Sequence, residues 1–166
     1  MMQDLSGQKL NQYELREQLG HGGMANVYKA FQPGLERFVA VKVMLGHLVT
    51  DAEFVERFRR EARTVAQLRH PNIVNVFDFG IERDIYYMVM ELIKGENLKA
   101  YIASHPAGLS LDEALRITSQ LADALDYAHK AGMIHRDVKP ANIMFMDEAH
   151  QHAILTDFGI AHILSQ

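Results

Sequence analysis

The spacing of apolar positions changes near the middle of the chain. From Tyr13 to Val43 they recur at strand-like intervals around glycines, and Phe38 to Met44 is a β-branched, mostly apolar run, so antiparallel strands are predicted here. Asp51 to Leu68 then switches to helical spacing. Phe54, Phe58, Ala62, Val65 and Leu68 share one stripe, and Thr50 or Asp51 stands where a cap belongs. Ile73 to Phe79 and Ile85 to Leu92 read as two more strands, joined around Glu82 to Asp84. After a break at Gly95 the pattern is helical. Ser110 and Glu113 form a capping box that opens a helix from Leu111 to Ala131, and Gly132 at the C′ position closes it. Its predicted inner stripe is Ala114, Leu115, Thr118, Leu121, Leu125 and Ala128. Ile143 to Phe145 and Ala153 to Leu155 read as short strands flanking a polar turn at Asp147 to Gln151. The plan is α+β: a small antiparallel sheet with one helix, a hinge near Glu91 to Gly95, and the beginning of a mainly helical part.

Glu61 falls on the apolar stripe of the first helix. A carboxylate on a buried face needs a cationic partner, because an unpaired buried charge is strongly destabilising. Lys42, in an apolar strand, is one candidate, although an edge lysine can also extend its amine to solvent. At about 4 Å and an effective dielectric near 20 such a pair attracts by roughly 4 kcal/mol before desolvation. Glu56, well off the stripe, is expected to be solvated.

With 166 residues, 48% of them hydrophobic, the chain can bury a core. A net charge of −4 without a basic run gives no surface for nucleic acid or anionic lipid, and the lack of cysteine excludes disulfides and thiolate chemistry. Met1 to Leu10 is polar and unlike an export signal, and no apolar run is long enough to span a bilayer. The expectation is an unexported, cytoplasmic protein.

The candidate chemistry lies late in the chain. His135, Arg136, Asp137, Val138, Lys139, Pro140, Ala141 and Asn142 are followed by Asp157, Phe158 and Gly159. An acid, a lysine and an asparagine within six positions, with a further acid at a Gly-terminated turn, suit a metal-bound polyphosphate. Upstream, the glycine-rich stretch from Gly20 to Ala25 lies between two strand patterns and lets backbone approach phosphates without Cβ interference, although alone it reads more readily as a plain hairpin. His150 and His152, in a polar turn, are expected to be solvated rather than metal ligands.

With Val39, Ala40, Val41 and Lys42, these motifs in this order resemble the protein kinase family, specifically bacterial serine/threonine kinases. The resemblance covers Tyr13 to the end and implies a kinase-like fold: a tail at 1–12, an antiparallel-sheet N-lobe and hinge at 13–94, and a partial, mainly helical C-lobe at 95–166. It implies ATP and Mg²⁺ as cofactors. Gly20, His21, Gly22, Gly23, Met24, Ala25 and Asn26 would cover the nucleotide, Ala25 replacing the family's third glycine. Leu19, Val27, Ala40, Met90 and Met144 would hold the adenine, with the main chain of Glu91 and Ile93 at its edge. Lys42, braced by Glu61, would meet the phosphates. Asp137 would orient the attacking hydroxyl, Lys139 offset charge on the transferred group, and Asn142 and Asp157 ligate the metal. Val65, Val76, His135 and Phe158 would stack as a spine, and Arg136 would await a phosphorylated activation segment.

The implied activity is phosphoryl transfer from ATP to serine or threonine of protein substrates. The alternative is a non-catalytic, pseudokinase-like ATP-binding module. Because only 160–166 follow the Asp-Phe-Gly motif, the expectation is a truncated catalytic domain whose open helical face self-associates or takes a partner.

Overall fold

The structure, a computed structural model, describes residues 4–21, 25–45, 52–83 and 85–158, and only the backbone at 45, 52–55, 57, 58 and 61. In chain order its elements are β1 (Lys9–Leu10), β2 (Tyr13–His21), β3 (Ala25–Gln32), β4 (Arg37–Leu45), α1 (Ala52–Gln67), β5 (Val76–Glu82), β6 (Ile85–Met90), α2 (Leu98–Ala103), α3 (Leu111–Lys130), β7 (Ile143–Phe145) and β8 (Ala153–Leu155). They divide between two units. Among the described residues, the first takes the chain up to Ala66 together with Val76–Leu92, and the second takes Gln67–Asn75 together with the chain from Ile93 to Phe158.

The first unit is an antiparallel sheet in the order β1-β2-β3-β4-β6-β5, plus α1. Strand alternation separates its faces. Tyr28, Ala30, Val39, Val41, Val43, Tyr87 and Val89 form the core on one face, which Leu5, Leu10, Tyr13 and Leu15 complete. Leu5 and Leu10 belong to a segment the pattern gave no element. Its polar composition hides two leucines that β1 and a hydrogen-bonded loop fold onto the sheet, with Gly7 N–H donating to the Leu15 carbonyl and Leu15 N–H to that of Gln8, both at 2.9 Å. The fourth predicted strand starts at Val76 rather than Ile73. Ile73 instead makes a parallel bridge to Leu155, and Val74 N–H donates to the Leu155 carbonyl at 3.0 Å, both in the second unit. The expected helix caps Thr50 and Asp51, and Asp84 of the expected β-turn, lie outside the described residues.

In the second unit α3 carries the predicted capping box: Ser110 accepts from the Glu113 N–H, and Glu113 accepts from Ser110. It ends in a Schellman motif, with Met133 N–H to the Ala128 carbonyl and Gly132 N–H to that of His129, both 2.9 Å, and Gly132 at φ 77°. The buried stripe is Ile117, Ala124 and Ala128, whereas Leu115 and Thr118, predicted to face inward, are exposed. The period was legible but the phase was not, because apolar residues occur on two sides of this helix. The inner side packs on β8. Gln120 there accepts from Ala153 N–H at 2.7 Å and Asn72 Nδ2 at 3.1 Å.

His150 and His152 are structural. His150 stacks on Tyr101 at 4.2 Å and meets Glu96 at 3.0 Å; His152 Nε2 contacts the Pro71 carbonyl at 2.7 Å. Among the described residues no group of three or more His, Asp or Glu could hold a metal by itself, and no helix is long and apolar enough to cross a membrane.

Candidate active site

The chain reversal after α3 delivers Met133 to Asn142. His135 is buried, 1% exposed, and bonds at both ring nitrogens. Its Nδ1 faces the Asp137 N–H at 3.2 Å, and since that group can only donate, Nδ1 accepts. The proton is therefore on Nε2, which donates to the Thr156 carbonyl at 2.7 Å. The ring also lies 4.6 Å from that of Phe158, itself 1% exposed. The imidazole thus ties the segment before Asp137 to the segment before Asp157. Arg136 and Asp157 each take left-handed backbone, φ 65° and 63°, conformations that persist only where neighbours are firmly held.

Asp137 and Asn142 are joined directly. Asn142 Nδ2 donates to the Asp137 main-chain carbonyl at 2.8 Å and to its Oδ2 at 2.9 Å. Lys139 Nζ reaches the same Oδ2 at 2.8 Å. The Lys139 hydrogen bond, with that from Asn142 and the lysine charge, holds the Asp137 carboxyl below the ordinary carboxylate range against the opposing effect of burial. It is a carboxylate at neutral pH. Asn142 is in turn clamped by Thr156, whose N–H and Oγ1 donate to its carbonyl at 2.8 and 3.0 Å.

Both acceptors facing the Asn142 amide nitrogen carry no proton, so the amide orientation is forced and Oδ1 points away from Asp137. Asn142 is 6% exposed, and among the described residues no hydrogen bond to its Oδ1 is formed. A buried amide oxygen turned away from Asp137, on a residue bonded to the Thr156 that precedes Asp157, is a hard donor suited to Mg²⁺. That ion takes one or two side-chain oxygens and completes its shell with water and phosphate.

The first unit supplies the second group of expected residues. Register places Gly20 opposite Val27, Val27 opposite Lys42, Lys42 opposite Met88, and Ala40 opposite Met90. Directly paired residues share a face, so Val27, Ala40, Lys42 and Met90 lie on the face opposite the core. Leu19 is 49% exposed near the end of β2. A Cβ on Gly20 would sit 3.9 Å from that of Val27, so this glycine leaves open space rather than relieving a clash. Ala25 opens β3 opposite Met44. Asn26, expected beside the nucleotide, turns its side chain to the core face, where it is 3% exposed.

Gly22, Gly23 and Met24 lie outside the described residues, as does the Glu61 side chain and hence its expected pairing with Lys42. Glu56 is exposed and meets Arg59 at 3.4 Å. Glu91 and Ile93 follow β6 on either side of the unit boundary, and Met144 sits in β7 opposite Ile154. Val65 and Val76 are buried in the first unit and His135 and Phe158 in the second. Thr156 was not singled out from sequence; its place before Asp157 was the available signal.

A family model described as protein kinase domain matches residues 13–166. The serine/threonine-protein kinase PrkC of Bacillus subtilis is 45% identical over 163 residues, covering 97% of this chain and 24% of PrkC. The chain thus spans about a quarter of that relative's length. Among solved structures, the Mycobacterium tuberculosis PknI kinase domain superposes with a TM-score of 0.83 at 37% identity, over 93% of this chain and 62% of the other. Rad53 in complex with AMP-PNP gives 0.80 at 31% identity, over 90% and 38%.

Proposed function

The chain belongs to the protein kinase family, and on that premise we propose that it provides the ATP-binding and catalytic residues of a serine/threonine protein kinase. The observation that carries this reading is the Asp137–Lys139–Asn142 cluster, with its carboxylate held ionised and the Asn142 amide oxygen turned away from Asp137. Bound Mg-ATP would supply the transferable phosphoryl group and the cation that offsets its charge.

Asp137 orients a substrate serine or threonine hydroxyl through its carboxylate. Held below the usual range, it is a weak base, and its contribution is alignment of the attacking oxygen more than early proton removal. Lys139 is 52% exposed on its side chain and close enough to Asp137 to share its charge with an incoming phosphoryl group. Asn142 and Asp157 would hold the metal through side-chain oxygens. On the first unit, Leu19, Val27, Ala40 and Met90 offer apolar surface to a base, Lys42 a cation to the phosphates, and the main chain at Glu91 and Ile93 hydrogen-bonding groups. ATP as donor places the activity in the cytoplasm. Leu111 and Leu115, 73% and 59% exposed, leave α3 an apolar side for self-association.

The test is labelled phosphate transfer from Mg-ATP to a generic protein substrate and to the chain itself, with Asp137→Asn as control and nucleotide binding measured in parallel. Transfer lowered at least 10²-fold by the control, at unchanged nucleotide affinity, is expected. Nucleotide binding without transfer would favour the non-catalytic module, and neither would end the reading.

A further inference from the structure

The hydrogen bonds of Tyr28 connect the N-terminal segment to the glycine-rich hairpin, and the family assignment does not account for them. Tyr28 is 0% exposed, and its hydroxyl accepts from Leu5 N–H at 3.1 Å and from Asn26 Nδ2 at 3.4 Å. Next to Leu5, the Asp4 carboxylate accepts from the Ser6 N–H and hydroxyl at 2.9 and 2.8 Å. Asn26, with its amide nitrogen committed to Tyr28, turns Oδ1 to His21 Nδ1 at 3.2 Å. His21 and Asn26 are register partners, the last described pair of β2 and β3 before residues 22–24. A continuous path thus runs from Leu5 through one buried hydroxyl to the end of the hairpin. The same pair of strands carries Gly20 and Val27 as a register pair on its other face.

We infer that the N-terminal strap, through Tyr28 and Asn26, is a positioning device that fixes the β2–β3 end for nucleotide binding. The inference rests on the proposed ATP-binding role. A buried hydroxyl shared between two partners from different segments fixes both, whereas core packing alone would need only a phenyl ring there. Leu5 and Leu10 hold the strap down, at 7% and 4% exposure. Without the path, the strand pair samples geometries that do not bind, and apparent affinity falls by the fraction of time spent in them.

Tyr28→Phe keeps the ring and removes the oxygen. Titration of the full chain with a fluorescent ATP analogue and Mg²⁺ should show a Kd raised roughly three- to tenfold, about the effect of one neutral hydrogen bond. Turnover should show the rise in KM for ATP with kcat unchanged. Val39→Ala, in the same core but opposite Ala30 rather than Tyr28, should lower the melting temperature and leave Kd in place. Amide exchange at 25–28 should quicken in Tyr28→Phe alone. Equal Kd in wild type and Tyr28→Phe, or equal increases in both variants, would overturn the inference. Failure of the wild type to bind nucleotide would instead strike the underlying functional reading.

Discussion

Replacing Asn142 by aspartate changes one atom's chemistry at almost constant shape, and the structure sets the size of the effect. The Nδ2 that donates to Asp137 Oδ2 at 2.9 Å becomes a carboxylate oxygen facing another carboxylate. Two unit charges at that distance repel by about 1.4 kcal/mol in bulk water and about 6 kcal/mol at an effective dielectric of 20. The Asp137 side chain is 41% exposed and Lys139 stands 2.8 Å away, so screening pulls the value to the lower part of that range, about 2 kcal/mol. Crowding raises one carboxyl above its unfolded-state value. The deficit is therefore absent below about pH 4, grows as pH rises between the unfolded and folded values, and is complete above both. Asn142→Leu removes one of the hydrogen bonds that hold Asp137 down without adding charge, so its deficit should shrink only toward pH 4 and stay flat from about pH 5 to 8. Urea unfolding of the three proteins from pH 4 to 8 separates the cases. A flat profile for the aspartate variant, or one parallel to the leucine variant, would refute the electrostatic account.

The other tests concern the second unit's framework. Glu113 accepts from Ser110 Oγ, Tyr101 Oη and Ser110 N–H, and these bonds hold its carboxyl down at about 2. A depressed folded value stabilises above the unfolded one near 4.5 and is lost as pH falls through about 2. Glu113→Gln should be less stable at neutral pH and converge with wild type near the bottom of that window; parallel denaturation curves would contradict this. A Cβ on Gly95 would collide with the Phe145 main-chain carbonyl in a strand whose Phe145 N–H already donates to Glu96 at 3.0 Å, so backbone would have to move. Gly95→Ala should cost about 2 kcal/mol or more in chemical denaturation, against near neutrality for Gly34→Ala, where nothing stands within 4 Å.

What was legible in the sequence was written in adjacent residues. The Ser110–Glu113 box, the Gly132 stop and the run from His135 to Asn142 each depend on neighbours a few positions apart, and local stereochemistry suffices to read them. What was not legible depends on surfaces that exist only after folding. Leu5 and Leu10 are isolated apolar residues until the sheet offers Tyr28 and Val41 to cover. Ile73 has strand character but leaves the sheet because Leu155 offers its carbonyl and a bridge. His150 looked like a solvated turn residue because its stacking partner, Tyr101, is remote in sequence.

Asp137, His135, Thr156 and Asn142 form a closed ring: Asp137 N–H to His135, His135 Nε2–H to Thr156, Thr156 N–H to the Asn142 carbonyl, and the Asn142 amide back to Asp137. Closure explains how two left-handed residues, each costing about 1–3 kcal/mol, can flank its members. Arg136 sits between two ring residues, and Asp157 between Thr156 and the buried Phe158, so neither can relax without opening several bonds at once. A ring also makes its members act together: removing one leaves partners unsatisfied on both sides, and second removals cost less than first ones. The carboxylate, the amide oxygen and Asp157 are therefore set as one geometry, assembled entirely within the second unit from residues 135–142 and 156–158.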